Sequence, residues 1–160
     1  MSAGTGPASH GAAGPEMAAR LAAVRHLACH QVMGLTSVFL LGMAVNLIGL
    51  PSQTSAGAHL ASIAFLAAHT LIGLGLVIGT VLVLRAAARL GGRWRTRAIA
   101  GTAAIAVAVA AGILTLVAKS NWWSYAMAAG FIAALLAHGS LLLPATAPAQ
   151  ASPTSSAPTT

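Results

Sequence analysis

The chain reads as an all-α integral membrane protein, a four-helix bundle with up-down-up-down topology. Three observations predict this class. Four apolar runs of about 20 residues fill the middle of the 160-residue sequence, each matching a ~30 Å hydrocarbon layer at 1.5 Å rise per residue. Eight Lys or Arg and one acid are the only charged side chains, and 58% of residues are hydrophobic; a soluble surface needs about a quarter of its residues charged. The gaps between runs are short, so successive helices must be antiparallel neighbours.

The elements follow in order. Residues 1–27 form a tail rich in Ala, Gly and Ser, with Pro7, Pro15 and the lone acid Glu16. Most of it is expected to be disordered, with a short interfacial helix from about Met17 to Leu27 that turns Arg20 and Arg25 toward the headgroups. The spanning region, 28–144, divides into runs at 31–50, 61–84, 98–118 and 123–143. Pro51 stops the first, Arg85 the second, Lys119 the third and Pro144 the fourth. Residues 145–160 are Ala, Pro, Ser, Thr and one Gln, carry no charge, and have nothing to bury, so disorder is expected. Ala56-Gly57-Ala58 has the look of a cleavage site, but a signal core is about 7–15 residues and the preceding run is longer, so the first span is expected to stay uncleaved.

Charge sets the orientation. Arg85, Arg89, Arg93, Arg95 and Arg97 lie between spans two and three, and Arg20 and Arg25 precede span one. The other side has only Lys119. The positive-inside rule then puts both termini and the arginine loop in the cytoplasm, with the chain in the plasma membrane. Trp122, Trp123 and Tyr125 fall at the outer start of span four and Trp94 in the inner loop, where amphipathic rings anchor helices at headgroup level. The net charge of +7 is therefore a topology signal and not a nucleic-acid one. The lipid bilayer is the expected partner, with other membrane proteins or copies of the chain beside it.

Helix packing in lipid depends on close backbone approach, which small residues four apart permit. Span two offers Gly75 and Gly79, with Gly73 nearby; span three offers Ala100, Ala104, Ala108 and Gly112; span four offers Ala126, Gly130 and Ala134; span one offers Gly34 and Gly42. The intramembrane polar residues continue these rows: Asn46 follows Gly42, His138 follows Ala134, and His69 precedes Gly73. Asn46, His69 and His138 are therefore expected in the bundle interior, each with a partner, because an unsatisfied polar group in hydrocarbon costs several kcal/mol. Interhelical hydrogen bonds of this kind average roughly 0.6 kcal/mol.

The chemistry available is narrow. No acid lies in any of the four runs or the loops between them, so proton-coupled cation export and carboxylate-based metal transport lack their central group. No phosphate-binding Gly-rich loop, acid pair, His-Glu zinc motif or Ser-His-acid arrangement occurs, and catalysis by the chain alone is not expected. Cys29 has no second cysteine to pair with and reads as an inert, partly buried thiol. His30, His69 and His138 are the candidate ligands for haem b, since two neutral imidazoles on facing helices hold iron in such bundles. Their depths work against sharing: His69 falls ~12 Å from the outer edge and His138 ~22 Å, so His30 with His138 is the better couple. His69, near mid-membrane, is the alternative centre of a small-ligand or proton pathway.

The segment His69-Thr-Leu-Ile-Gly-Leu-Gly-Leu-Val-Ile-Gly-Thr-Val-Leu-Val-Leu-Arg85 resembles a ligand helix of the cytochrome b561 group, which sets a His, a Gly four residues on, and an Arg at the cytoplasmic end. That resemblance implies haem between histidines, but the group's usual second His on one span has no counterpart in span four. Across the whole spanning region, the run Gly42-Met-Ala-Val-Asn-Leu47, the outer loop opening at Pro51, and His69 followed by Leu74 and Gly75 look like small four-span membrane proteins of actinobacteria. That likeness implies the fold and no activity. The expected role is a non-enzymatic membrane component that works through contacts.

Overall fold

The structure, a computed structural model, describes residues 14–49, 55–118 and 120–144. Among these residues there are four helices and no strand: α1 Pro15–Ile48, α2 Ala56–Ala88, α3 Gly92–Ala118 and α4 Asn121–Gly139. They run up, down, up and down around a square. The interfaces of α1 with α2 and of α3 with α4 are broad, those of α2 with α3 and α1 with α4 are thinner, and the diagonal pairs do not meet. Helices α1, α2 and α3 are each long and apolar enough to cross a membrane.

The expected interfacial helix and first span are one continuous helix. Hydropathy falls at Arg20, Arg25 and His26, which marks where water begins, but no Gly or Pro interrupts residues 16–33. Pro15 sits in the first turn, where its missing N–H costs nothing, and Glu16 pairs with Arg20 one turn on. The helix ends at Gly49, whose φ of +96° a side chain would resist. The stops expected at Pro51 and Lys119, the tail 145–160 and residues 1–13 lie outside the described residues. Helices α2 and α3 extend beyond their apolar cores into the arginine-bearing end, because Ala and Arg sustain a helix as well as Leu does. Between them the chain reverses through Gly91 and Gly92, with φ of +69° and +45°. Helix α4 is shorter than the expected 123–143: it closes at Gly139, and Leu141 and Leu142 form a turn.

The interior follows a seam of alternating four- and three-residue steps rather than the rows of four. In α1 the buried residues are Val24, Ala28, Gln31, Leu35, Val38 and Val45. In α3 they are Ala98, Gly101, Ile105, Ala108 and Ala111. A 3.5-residue repeat keeps one seam on a neighbouring helix through a left-handed supercoil. A strict row of four instead turns about 40° per step on a 3.6-residue helix. This corrects three expectations. Asn46, three steps along from Gly34, has rotated out of the interior and is exposed. Gly75 is exposed and has open space where a Cβ would stand. Ala100 is exposed as well.

Outside the seam the surface is oil-like. Leu40, Leu47, Leu60, Leu71, Leu116 and Leu136 are all more than 60% exposed, an arrangement that water would not tolerate and lipid does. The hydroxyls of Thr36, Ser37, Thr70, Thr102 and Thr115 each donate to the carbonyl four residues back on their own helix, so they carry no unmet donor into hydrocarbon.

Candidate functional site

Two apolar layers bracket the site. One consists of Leu35, Val38, Leu76, Ile105 and Ala134. The other, nearer the arginine-bearing end, consists of Ala28, Val83, Ala87, Ala98 and Leu141, with Trp94 packed against it. On each helix one seam position lies between them, and those four positions are Gln31, Thr80, Gly101 and His138. Gln31, Thr80 and His138 are no more than 3% exposed. The bundle thus carries a polar layer inside an apolar column.

The two sides of that layer are built differently. The Gln31 amide reaches from α1 to α2, where Nε2 donates to the Leu76 carbonyl at 3.0 Å and to the Thr80 hydroxyl at 2.9 Å. Gly79 makes this approach feasible, since a Cβ there would lie 2.8 Å from Gln31 Nε2. On the other side His138 fits against α3 at Gly101, where a Cβ would stand 2.7 Å from its Nδ1. His138 Nδ1 donates to the Ala134 carbonyl at 2.9 Å, and its buried Nε2 has no partner among the described residues. A carbonyl only accepts, so the Nδ1 nitrogen holds the proton, and in the neutral ring Nε2 presents its lone pair to the interior.

His69 belongs to a different level. Its Nδ1 donates to the Val38 carbonyl of α1 at 3.0 Å, and its ring covers Gly42, where a Cβ would meet Cε1 at 3.2 Å. Further along the same interface the Ser62 hydroxyl, fully buried, donates to the Gly49 carbonyl at 2.6 Å. The α1–α2 hairpin is therefore pinned by hydrogen bonds at three heights. The α3–α4 hairpin relies on close backbone approach: a Cβ on Gly130 would lie 2.9 Å from the Ala108 nitrogen and 3.1 Å from the Ala104 carbonyl oxygen. Gly112 faces Met127 Sδ at 3.3 Å by the same measure. At the arginine-bearing end Arg97 Nη1 donates to the Ser140 carbonyl at 2.7 Å, closing α4.

The candidate ligands are not brought together. His30 is exposed on α1, with its Nε2 3.3 Å from that of His26; it follows the buried Ala28 by two residues and so leaves the interior face. This corrects its expected pairing with His138. His69 lies beside Val38 and His138 in the layer of Gln31, about seven residues or ~10 Å apart along the bundle. Leu35, Val38 and Leu76 fill the space between those levels. His69 and His138 also stand on the diagonal pair α2 and α4. These positions do not fit one shared haem iron, whose two axial nitrogens must face each other at a single level. Among the described residues no three His, Cys, Asp or Glu side chains cluster as a metal site. Cys29 is exposed, not partly buried, because it follows the seam position Ala28.

Sequence reasoning missed Gln31 and Thr80. Gln31 opens the first apolar run and Thr80 lies within the second, so neither stands out alone, whereas the three- and four-residue steps from Ala28 to Leu35 and from Leu76 to Val83 mark both as seam positions. The fold and this layer define a helical membrane-embedded bundle with a polar cross-section. No protein-family model, no curated protein and no solved structure matches the chain.

Proposed function

We propose that the chain is a four-span, non-enzymatic component of the plasma membrane, with both termini in the cytoplasm, that works by contact with other membrane proteins or with copies of itself. The observation that carries this reading is the charge distribution on the bundle. Arg20 and Arg25 lie in the first third of α1, Arg85 and Arg89 at the end of α2, and Arg93, Arg95 and Arg97 in the first turns of α3, so all seven gather toward one end of the bundle. Cytoplasmic retention of arginine accounts for that bias. Helix α4, with 19 residues, is ~28 Å long at 1.5 Å per residue, close to the hydrocarbon thickness. The exposed rings of Trp122 and Tyr125 at its start suit a headgroup anchor.

Contact is favoured over catalysis because the polar interior is used to hold helices. Gln31, His69 and Ser62 each spend a donor on a neighbouring helix. The outer surface keeps small side chains where a partner helix could approach: Ala106 and Ala110 are exposed one turn apart on α3. The arginine-bearing end adds attraction to anionic headgroups or to acidic segments of a partner.

Reporter fusions at residues 55 and 92 test the topology: 55 should report the outer side and 92 the cytoplasm, and the same side for both would end this reading. Photo-crosslinkers at Ala106 and Ala110 in native membranes should give a discrete adduct. Lipid-only labelling there would remove the contact role. A b-type α-band in the reduced-minus-oxidised spectrum of the purified chain would replace it with electron transfer.

A further inference from the structure

We propose that His26 and His30 form a chelating site for a borderline divalent transition ion, with Zn2+ as the best-matched case. The two histidines are four residues apart on α1, so their side chains leave the same face on successive turns. Both are exposed and lie in the half of α1 that carries Arg20 and Arg25, on the face turned away from the buried Ala28. Their Nε2 atoms stand 3.3 Å apart, with ring centroids 4.5 Å apart and planes at 79°.

The separation is informative. Two nitrogens bound to one Zn2+ at ~2.0–2.1 Å with a tetrahedral angle are ~3.4 Å apart. The apo pair already has that bite. Without metal one Nε2 must donate to the other, since two facing lone pairs repel. When the ion enters, the donor imidazole moves its proton from Nε2 to Nδ1, and both Nε2 lone pairs turn to the metal. No net proton is released, and no bond other than the two coordinate bonds forms. The helix supplies the frame, so the second donor binds as an intramolecular step.

Two features set the character of the site. No third His, Cys, Asp or Glu completes a cluster among the described residues, so water or another exogenous donor fills the remaining positions. Arg25 adjoins His26 and opposes a dication, so hard ions that depend on charge, such as Mg2+ and Ca2+, are excluded while imidazole-preferring ions remain. The site is thus a low-affinity, imidazole-selective one at the membrane surface.

The test uses the full chain in detergent, with its affinity tag removed and Cys29→Ser throughout, so that a thiolate cannot hold the metal. Titration calorimetry should show one Zn2+ per chain. His26→Ala and His30→Ala should each weaken binding by about a hundredfold, the advantage of a second donor on one rigid frame, and the double variant should bind more weakly than either single one, because it has lost the remaining imidazole as well. His10→Ala and His59→Ala should bind as the parent. Amide exchange through residues 24–32 should slow on adding Zn2+ in the parent and in neither single variant, which separates chelation from adventitious binding. Both single variants should keep the parent's helical circular dichroism, because both side chains are exposed. A parent that takes up no Zn2+, or a His26→Ala chain that binds as tightly as the parent, overturns the site.

Discussion

The side-chain amide of Gln31 bridges two groups of α2, the Thr80 hydroxyl at 2.9 Å and the Leu76 carbonyl at 3.0 Å, from a position only 3% exposed. One side chain of α1 is therefore tied to two successive turns of its neighbour. Such a contact fixes axial register as well as distance, because sliding α2 by one residue breaks both bonds.

The first prediction concerns that bridge. In a double-mutant cycle of Gln31→Leu and Thr80→Val, the coupling energy from unfolding in mixed micelles should fall at roughly 0.6–1.7 kcal/mol, the range for interhelical hydrogen bonds in membranes. The Gln31→Leu chain keeps part of its stability through packing, since the Leu76 carbonyl remains in its own helical ladder. A coupling indistinguishable from zero would mean that the amide makes no bond to the hydroxyl.

Glycines supply a second, paired prediction. Gly130→Ala should destabilise the chain by roughly 1–3 kcal/mol, the usual cost of overpacking, because the new methyl meets the α3 backbone at 2.9 Å. Gly75→Ala should be neutral or stabilising by up to about 1 kcal/mol, the helix-propensity gain, because that site is open. Thermal melts of the two variants side by side decide this; equal losses would contradict the α3–α4 approach.

A third prediction links Gly101 to His138. Gly101→Ala alone should lower the melting temperature, since its methyl would overlap the His138 ring. Adding His138→Ala should recover much of the loss by opening that space, although His138→Ala alone leaves a cavity that costs stability. Additive losses in the double variant would place the ring elsewhere.

The arginines divide by role in a fourth prediction. Arg97→Gln should destabilise by roughly 1–3 kcal/mol, a charged hydrogen bond's worth reduced to a neutral one's at most, because Arg97 closes α4 at the Ser140 carbonyl. Arg95→Gln, exposed, should stay within about 0.5 kcal/mol of the parent. Chemical unfolding compares them directly, and equal effects would deny Arg97 its capping contact.

Much of the fold was legible in the chain, and the site only in part. The apolar runs marked the apolar stretch of each helix, and the absence of Gly and Pro from 16–33 is the sequence feature that keeps α1 continuous. His138 is buried beside Ala134, and His69 is half-buried over Gly42. Asn46 and Gly75 were sent the wrong way because a row of four residues drifts around a helix, while a packed seam alternates steps of three and four. Gln31 and Thr80 escaped notice because each is ordinary beside its own neighbours; only their meeting gives them a role.

By itself the sequence determined that the chain is helical, that its middle prefers hydrocarbon, and where its charge resides. Those are properties of single segments, set by the transfer free energy of side chains and the hydrogen-bonding needs of the backbone. The tertiary structure decided which face of each helix turns inward, which glycines permit contact, and that a polar layer of Gln31, Thr80, Gly101 and His138 crosses the bundle. These are relations between helices, and their energy depends on the phase and height at which two surfaces meet, which no helix specifies alone.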